Sequence, residues 1–139
     1  MKVGIISDTH DHVKNVRLAF RFLEGRVDTV VHLGDIISPF ILRFIREEYD
    51  GMIYGVFGNN DGDHLFLEEH IKKYGWKFSP IPMEISLGGK KFLIMHEPVD
   101  PEAIVKGGDY SGVLYGHTHE RYLKKIGERI VLNPGEACG

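Results

Sequence analysis

Residues 3–24 read VGIISDTHDHVKNVRLAFRFLE. Val3–Ser7 is a short apolar run rich in β-branched residues, the pattern of a buried strand. Val13, Val16, Phe20 and Leu23 then fall at helical spacing, with Lys14, Arg17, Arg21 and Glu24 on the other side, which predicts a helix over 13–24. The polar triplet Asp8-Thr9-His10 sits where the strand gives way to the helix. The same unit repeats downstream. Thr29–Leu33 and Met52–Phe57 predict two more strands. Pro39 opens a helix whose apolar face carries Phe40, Phe44, Ile41 and Ile45, and residues 63–74 form a third helix. A β-α-β-α-β-α order predicts a parallel sheet with right-handed crossovers.

The second half changes character. Met83–Leu87 and Lys91–Met95 flank Gly88-Gly89, a two-residue hairpin signal. Pro101–Lys106 predicts a short helix and Val113–Tyr115 a strand. Tyr122–Ile126 and Arg129–Leu132 around Gly127-Glu128 predict a second hairpin. The expected fold class is α/β with mixed sheets, parallel early and antiparallel late, large enough to split into two packed layers.

At 139 residues the chain is expected to be one domain, residues 1–139. With 42% hydrophobic and 27% charged residues, disorder, collagen and coiled coil are excluded. The net charge is −3 and basic residues come only in short pairs, which disfavours nucleic-acid polymers as partners. The single cysteine, Cys138, gives no internal disulfide. The N-terminal apolar run is too short for a signal peptide, and no stretch approaches the roughly 18 apolar residues of a membrane span. The expected compartment is the cytoplasm.

Five strands run directly into polar clusters. They are Ser7-Asp8-Thr9-His10, His32-Leu33-Gly34-Asp35, Gly58-Asn59-Asn60-Asp61, His96-Glu97 and Gly116-His117-Thr118-His119. In parallel α/β sheets, ligands bind outside the carboxyl ends of strands, so residues far apart in sequence can converge there. Taken singly, Asp8 reads equally well as a helix cap, and Gly34-Asp35 and Gly58-Asn59-Asn60-Asp61 as turns. Taken together, two Asp, one Asn and four His form a donor set suited to Mn, Fe, Co, Ni or Zn.

In its ordered blocks Asp8-x-His10, Gly34-Asp35, Gly58-Asn59, His96 and Gly116-His117-x-His119, the sequence resembles the calcineurin-like metallophosphoesterases, in particular their small bacterial and archaeal phosphodiesterase branch. The resemblance implies an αββα fold, a two-layer β-sandwich flanked by helices. It implies two divalent metal ions, Mn foremost with Ni, Co, Fe or Zn as alternatives. The first ion would take Asp8, His10 and His119, with Asp35 bridging to the second, which would take Asn59, His96 and His117. Two carboxylates against two divalent ions leave a formal excess of two positive charges, which attracts a phosphate oxyanion. Water bridging such ions is acidified towards neutrality and becomes the nucleophile. The expected substrate is a small phosphoester, most naturally a phosphodiester.

Three positions depart from the family pattern. Asn60 stands where many members have His; an amide can donate to phosphate but is no general acid. Asp61 is the residue expected to orient Asn60, and a secondary candidate for proton transfer. Met95 replaces the usual Gly before His96. The family's further strand after Asn133-Pro134-Gly135 is also expected to be missing from this sequence. The alternative function is a non-catalytic protein-interaction scaffold, the use a eukaryotic retromer subunit makes of this fold; all seven ligand positions being filled favours the enzyme. His32 is expected to be structural, His12, His64 and His70 exposed, and Glu97 either an orienting residue for a ligand or an exposed loop acid. Phe40, Phe44, Trp76 and Phe78 are assigned to core or to a homo-oligomer interface.

Overall fold

A computed structural model describes residues 1–139. The first half forms strand β1 (Val3–Ile6), helix α1 (Val13–Leu23), β2 (Thr29–His32), α2 (Phe40–Glu48), β3 (Met52–Val56), α3 (His64–Lys73) and β4 (Lys77–Ser79). The second half forms β5 (Met83–Leu87), β6 (Lys90–Met95), α4 (Pro101–Gly107), β7 (Gly112–Tyr115), β8 (Arg121–Ile126) and β9 (Arg129–Pro134). One sheet has the order β1-β2-β3-β4 and is parallel throughout; the other has the order β5-β6-β7-β9-β8.

The strict alternation of side chains along a strand divides the apolar residues among three cores. Val30 points to α1, α2 and α3, where it joins Val16, Phe20, Ile41, Leu42, Ile45, Ile53 and Leu67. Its neighbour Val31 points the other way and packs between the sheets with Val56, Ile85, Ile94 and Leu114. On the far side Met95, Val113, Tyr115 and Val131 meet Val105 of α4. The layering is therefore helix, sheet, sheet, helix. Strands buried on both faces explain why β1, β2 and β7 read as continuous apolar runs.

Two expectations need correction. The second sheet is not simply antiparallel: β5–β6 and β8–β9 are, but β6–β7 and β7–β9 run parallel. The α4 crossover returns the chain to β7 in the direction of β6, and the reversal through β8 does the same for β9. Strand β4 was also unforeseen. Three residues between Trp76 and Pro80 show no periodicity, and pairing with β3 alone makes them a strand. The consequence for function is geometric: β1, β2, β3, β6, β7 and β9 all present their carboxyl ends at one rim of the sandwich.

A candidate metal centre at the rim of the sandwich

The residues after β1, β2, β3, β6 and β7 meet at this rim. Asp8, His10, Asp35 and His119 bring one ligand atom each to within 4.8 Å of one another, a group that could hold a metal ion. Asp8 is fully buried. Its Oδ2 accepts from the Ser7 hydroxyl and from the His117 backbone N–H at 3.1 Å. Its Oδ1 has no hydrogen-bond partner, and neither has His10 Nε2, although both are buried. His119 Nε2 lies 3.2 Å from Asp8 Oδ1, and His10 Nε2 lies 3.2 Å from Asp35 Oδ2.

A second cluster adjoins the first through Asp35. His96 Nε2 stands 3.5 Å from Asp35 Oδ1 and 2.9 Å from Asn59 Oδ1. His117 Nδ1 is 3.0 Å from the same Asn59 oxygen and 3.3 Å from His96 Nε2. His96 Nδ1 meets the Leu33 carbonyl at 2.7 Å, so it must carry the ring proton, and Nε2 of the neutral ring is a bare lone pair. That lone pair faces an amide oxygen and a carboxylate oxygen. Amide, carboxylate and imidazole ligand atoms converging in this way fit a cation.

The other nitrogen of His119 is fixed in the same way. Nδ1 lies 2.5 Å from Glu136 Oε2, which directs the bare Nε2 at Asp8. Hydrogen bonds from Cys138 and His119 hold the Glu136 carboxyl below its usual range. Burial, with Glu136 beside it, raises the pKa of Cys138, so it stays a thiol. Glu136 was not foreseen from the sequence, because the signal that selects it needs the direction of β9. β9 runs parallel to β7, so the strand-end rule that selected His117 also selects the residues after Pro134. Asn133, buried at the end of β9, donates to the Gly116 carbonyl and to Thr118 Oγ1, both at 2.9 Å, and steadies the histidine loop. Ala137 N–H closes back on the Ser7 carbonyl at 3.1 Å.

Asp35 is 1% exposed. Burial works against its ionisation, but the two hydrogen bonds from Asn60 and the neighbouring His96 and His10 outweigh this and hold its carboxyl below the usual range. Asn60 donates its backbone N–H to Asp35 Oδ1 at 3.0 Å and its side-chain amide to Oδ2 at 2.9 Å. Asn60 is thus oriented by Asp35. The carboxylate of Asp61 instead accepts three backbone N–H groups, from Ile37 at 2.6 Å, Gly58 at 2.7 Å and Asp35 at 3.2 Å. Burial raises its pKa, with Asp35 adding to this against the opposing hydrogen bonds. Asp61 ties the loop after β2 to the loop after β3.

The rim is built from strained backbone. Asp8, His10, Asp35, His117 and His119 all have positive φ, between 42° and 67°, a region that non-glycine residues seldom adopt. Such strain clusters at functional sites, where the surrounding structure enforces it. Ile37, a β-branched residue at φ 82°, is held there by its hydrogen bond to Asp61. The motif glycines are sterically required. A Cβ on Gly58 would overlap the Asp35 carboxylate, and one on Gly116 would overlap Ser7 Oγ.

The remaining expectations sort as follows. His32 is fully buried. Gly34 N–H donates to its Nδ1 at 3.2 Å, and Nε2 meets Thr9 Oγ1 at 3.2 Å, whose hydroxyl donates to the Asp35 carbonyl. It supports the site without facing it. His12 is exposed and caps α1 through Asn15 N–H, whereas His70 is half-buried, its Nδ1 2.9 Å from the Phe66 carbonyl. His64 is exposed too, but its ring lies 4.9 Å from that of Phe57 and borders a cleft beside Asn59. Glu97 is exposed at the same cleft, while the Leu33 carbonyl orients His96. Met95 is buried against Val105 and reaches the cleft wall. Trp76 lies in the core, Phe44 and Phe78 pack against it, and Phe40 is exposed. No helix is long and apolar enough to cross a membrane.

Comparison with known proteins agrees with this geometry. The sequence matches the profile of the calcineurin-like phosphoesterase superfamily domain over residues 1–139. It is 38% identical to Phosphodiesterase MJ0936 of Methanocaldococcus jannaschii, in a match covering 100% of this chain and 86% of that protein. A solved archaeal phosphodiesterase superposes with a TM-score of 0.91 at 38% identity, over 100% of this chain and 86% of that one. Vps29 of Entamoeba histolytica, solved with Zn²⁺, gives a TM-score of 0.72 at 26% identity over 100% and 76%. With its layers, strand-end donors and full-length match to that profile, this chain belongs to the calcineurin-like phosphoesterase superfamily.

Proposed function

We propose that the chain is a metal-dependent phosphodiesterase acting on small phosphoesters. The observation that carries this reading is the set of ligand atoms of Asp8, His10, Asp35 and His119, within 4.8 Å of one another at a strained rim, with buried Asp8 Oδ1 and His10 Nε2 left without a hydrogen-bond partner. In this reading Asp8, His10 and His119 hold one divalent cation, Asn59, His96 and His117 a second, and Asp35 joins them. Mn²⁺ is the first choice, with Ni²⁺, Co²⁺, Fe²⁺ or Zn²⁺ as alternatives for the same donor set. When bound, these ions supply Lewis-acid charge and an activated water for attack on phosphorus.

The chain's own residues supply orientation. Asp35 is ionised at neutral pH, with Oδ2 3.2 Å from His10 and Oδ1 3.5 Å from His96. Asn60, with one side-chain N–H given to Asp35, has its second N–H to offer a phosphate oxygen, and nothing in its chemistry protonates a leaving group. Esters whose leaving groups are stable as anions are therefore the favoured substrates. The Vps29 likeness supports the second reading, a protein-interaction scaffold, but the complete donor set favours hydrolysis.

The test is a panel of aryl phosphodiesters and monoesters assayed against each metal. Mn²⁺-dependent hydrolysis of a diester is expected, reduced at least about 100-fold in His117→Ala. No turnover with any metal, together with no bound metal in elemental analysis, would overturn the enzyme reading.

A further inference from the structure

A cleft of about 290 Å³ opens beside Asn59 and His96, between the loops that follow β4 and β6. Pro80, Ile81 and Pro82 form one part of its wall and Val99 another, and Phe57 and His64, whose rings lie 4.9 Å apart and tilted by 35°, line it too. Ile81 and Val99 are 68% and 67% exposed. Aliphatic side chains left open to water at the mouth of a concave site are a feature of ligand pockets. Two prolines fix φ on either side of Ile81, so the wall is shaped before any ligand arrives.

The charge of the cleft is equally informative. No lysine or arginine lines it, and Glu97 is its one carboxylate. A second phosphate would find no cation there and would meet a like charge. The volume lies at the low end of the roughly 300–1,000 Å³ usual for small-molecule sites. It gives room for one ring system, and none for the backbone of a polymer. The exposed ring of His64 adds an aromatic surface that a planar ring can meet.

We infer that this cleft seats one organic substituent of the phosphodiester, an uncharged and largely apolar group such as a single ring, while the phosphate lies at the adjoining metal centre, which Asn59 and His96 border. The inference rests on the phosphodiesterase reading above. It places dinucleoside polyphosphates outside the substrate class and simple diesters with an aryl or similarly flat group inside it.

The test uses the intact, Mn²⁺-loaded protein and bis(4-nitrophenyl) phosphate as the hydrolysed substrate. Diphenyl phosphate and dimethyl phosphate serve as competitive inhibitors, in wild type and in Ile81→Ser/Val99→Ser. Both substituted positions are exposed and neither is a candidate ligand, so folding and metal content should be unchanged. In wild type, diphenyl phosphate is expected to bind at least about tenfold tighter than dimethyl phosphate. The double variant should erase that difference while retaining its metal. Equal inhibition constants in wild type, or a preference that survives the double substitution, overturn the cleft assignment and leave the phosphodiesterase reading standing. No hydrolysis by the metal-loaded wild type overturns the reading itself and the inference with it.

Discussion

At the scale of single residues, the site is a problem in placing lone pairs. A neutral imidazole has one donor nitrogen and one bare nitrogen, and the partner of the first decides where the second points. Leu33 does this for His96 through a backbone carbonyl, and Glu136 does it for His119 through a carboxylate. Carboxylate partners of metal-binding histidines typically contribute 10- to 100-fold to affinity. Glu136→Ala is therefore expected to weaken binding of the ion proposed to sit at His119 by about that factor, with Glu136→Gln intermediate; calorimetric Mn²⁺ titration of the metal-free protein measures both. His32 makes a prediction of a different kind. Burial, helped by nearby His96, lowers its pKa to about 3. In the unfolded chain it titrates at an ordinary value of roughly 6.5. The unfolded state binds the proton first, so stability is full above about pH 6.5 and falls as the pH drops towards 3. For metal-free protein the loss should reach a few kcal/mol. Urea unfolding across this range should show it, and His32→Gln should flatten the profile.

At the scale of elements, the turns after β2, β3 and β7 carry glycines because the turns pack on one another. The Gly58 turn lies against the Asp35 carboxylate and the Gly116 turn against Ser7. Gly116→Ala should accordingly destabilise the protein by about 1–3 kcal/mol and displace Asp8, lowering metal affinity; thermal melts and metal titration read the two effects separately. Asp61 is the brace between two of these turns. Removing it in Asp61→Ala leaves three backbone N–H groups without their acceptor and releases the strained Ile37. A loss of about 2–4 kcal/mol is expected, with metal affinity falling as well because Asp35 sits on the same loop. Denaturant midpoints check the first part and calorimetry the second. If Asp61 acted through proton transfer alone, stability would not change.

At the scale of the whole molecule, the metal centre and the fold support one another. Asp8, Asp35, Asn59, His96 and His117 come from both sheets, so a cation bound among them ties the two layers of the sandwich together. A ligand that binds only the folded state stabilises it by mass action, about 2.7 kcal/mol at a hundredfold excess over Kd. For a domain of this size that corresponds to a rise in Tm of roughly 8–11 °C. Adding Mn²⁺ to metal-free protein in a thermal scan should show it, and His117→Ala should lose most of it.

Much of this was legible in the sequence because it is local. Apolar runs of four or five residues gave β1, β2, β3 and β7, helical spacing gave α1, α2 and α3, and polar blocks at strand ends gave the donor set. β4 and the parallel direction of β7 and β9 were not legible, since a three-residue strand has no period and strand direction depends on the path between pairs. Nor was Glu136, because its role exists only where the end of β9 lies beside that of β7. The sequence by itself determined which atoms could bind a cation, since side-chain chemistry and hydrophobic period belong to the chain. Only the tertiary structure decided which lone pairs are bare and what fixes them there. That depends on contacts such as His96 to Leu33 and His96 to Asn59, made between residues that the chain keeps apart and the packing of two sheets brings within 3 Å.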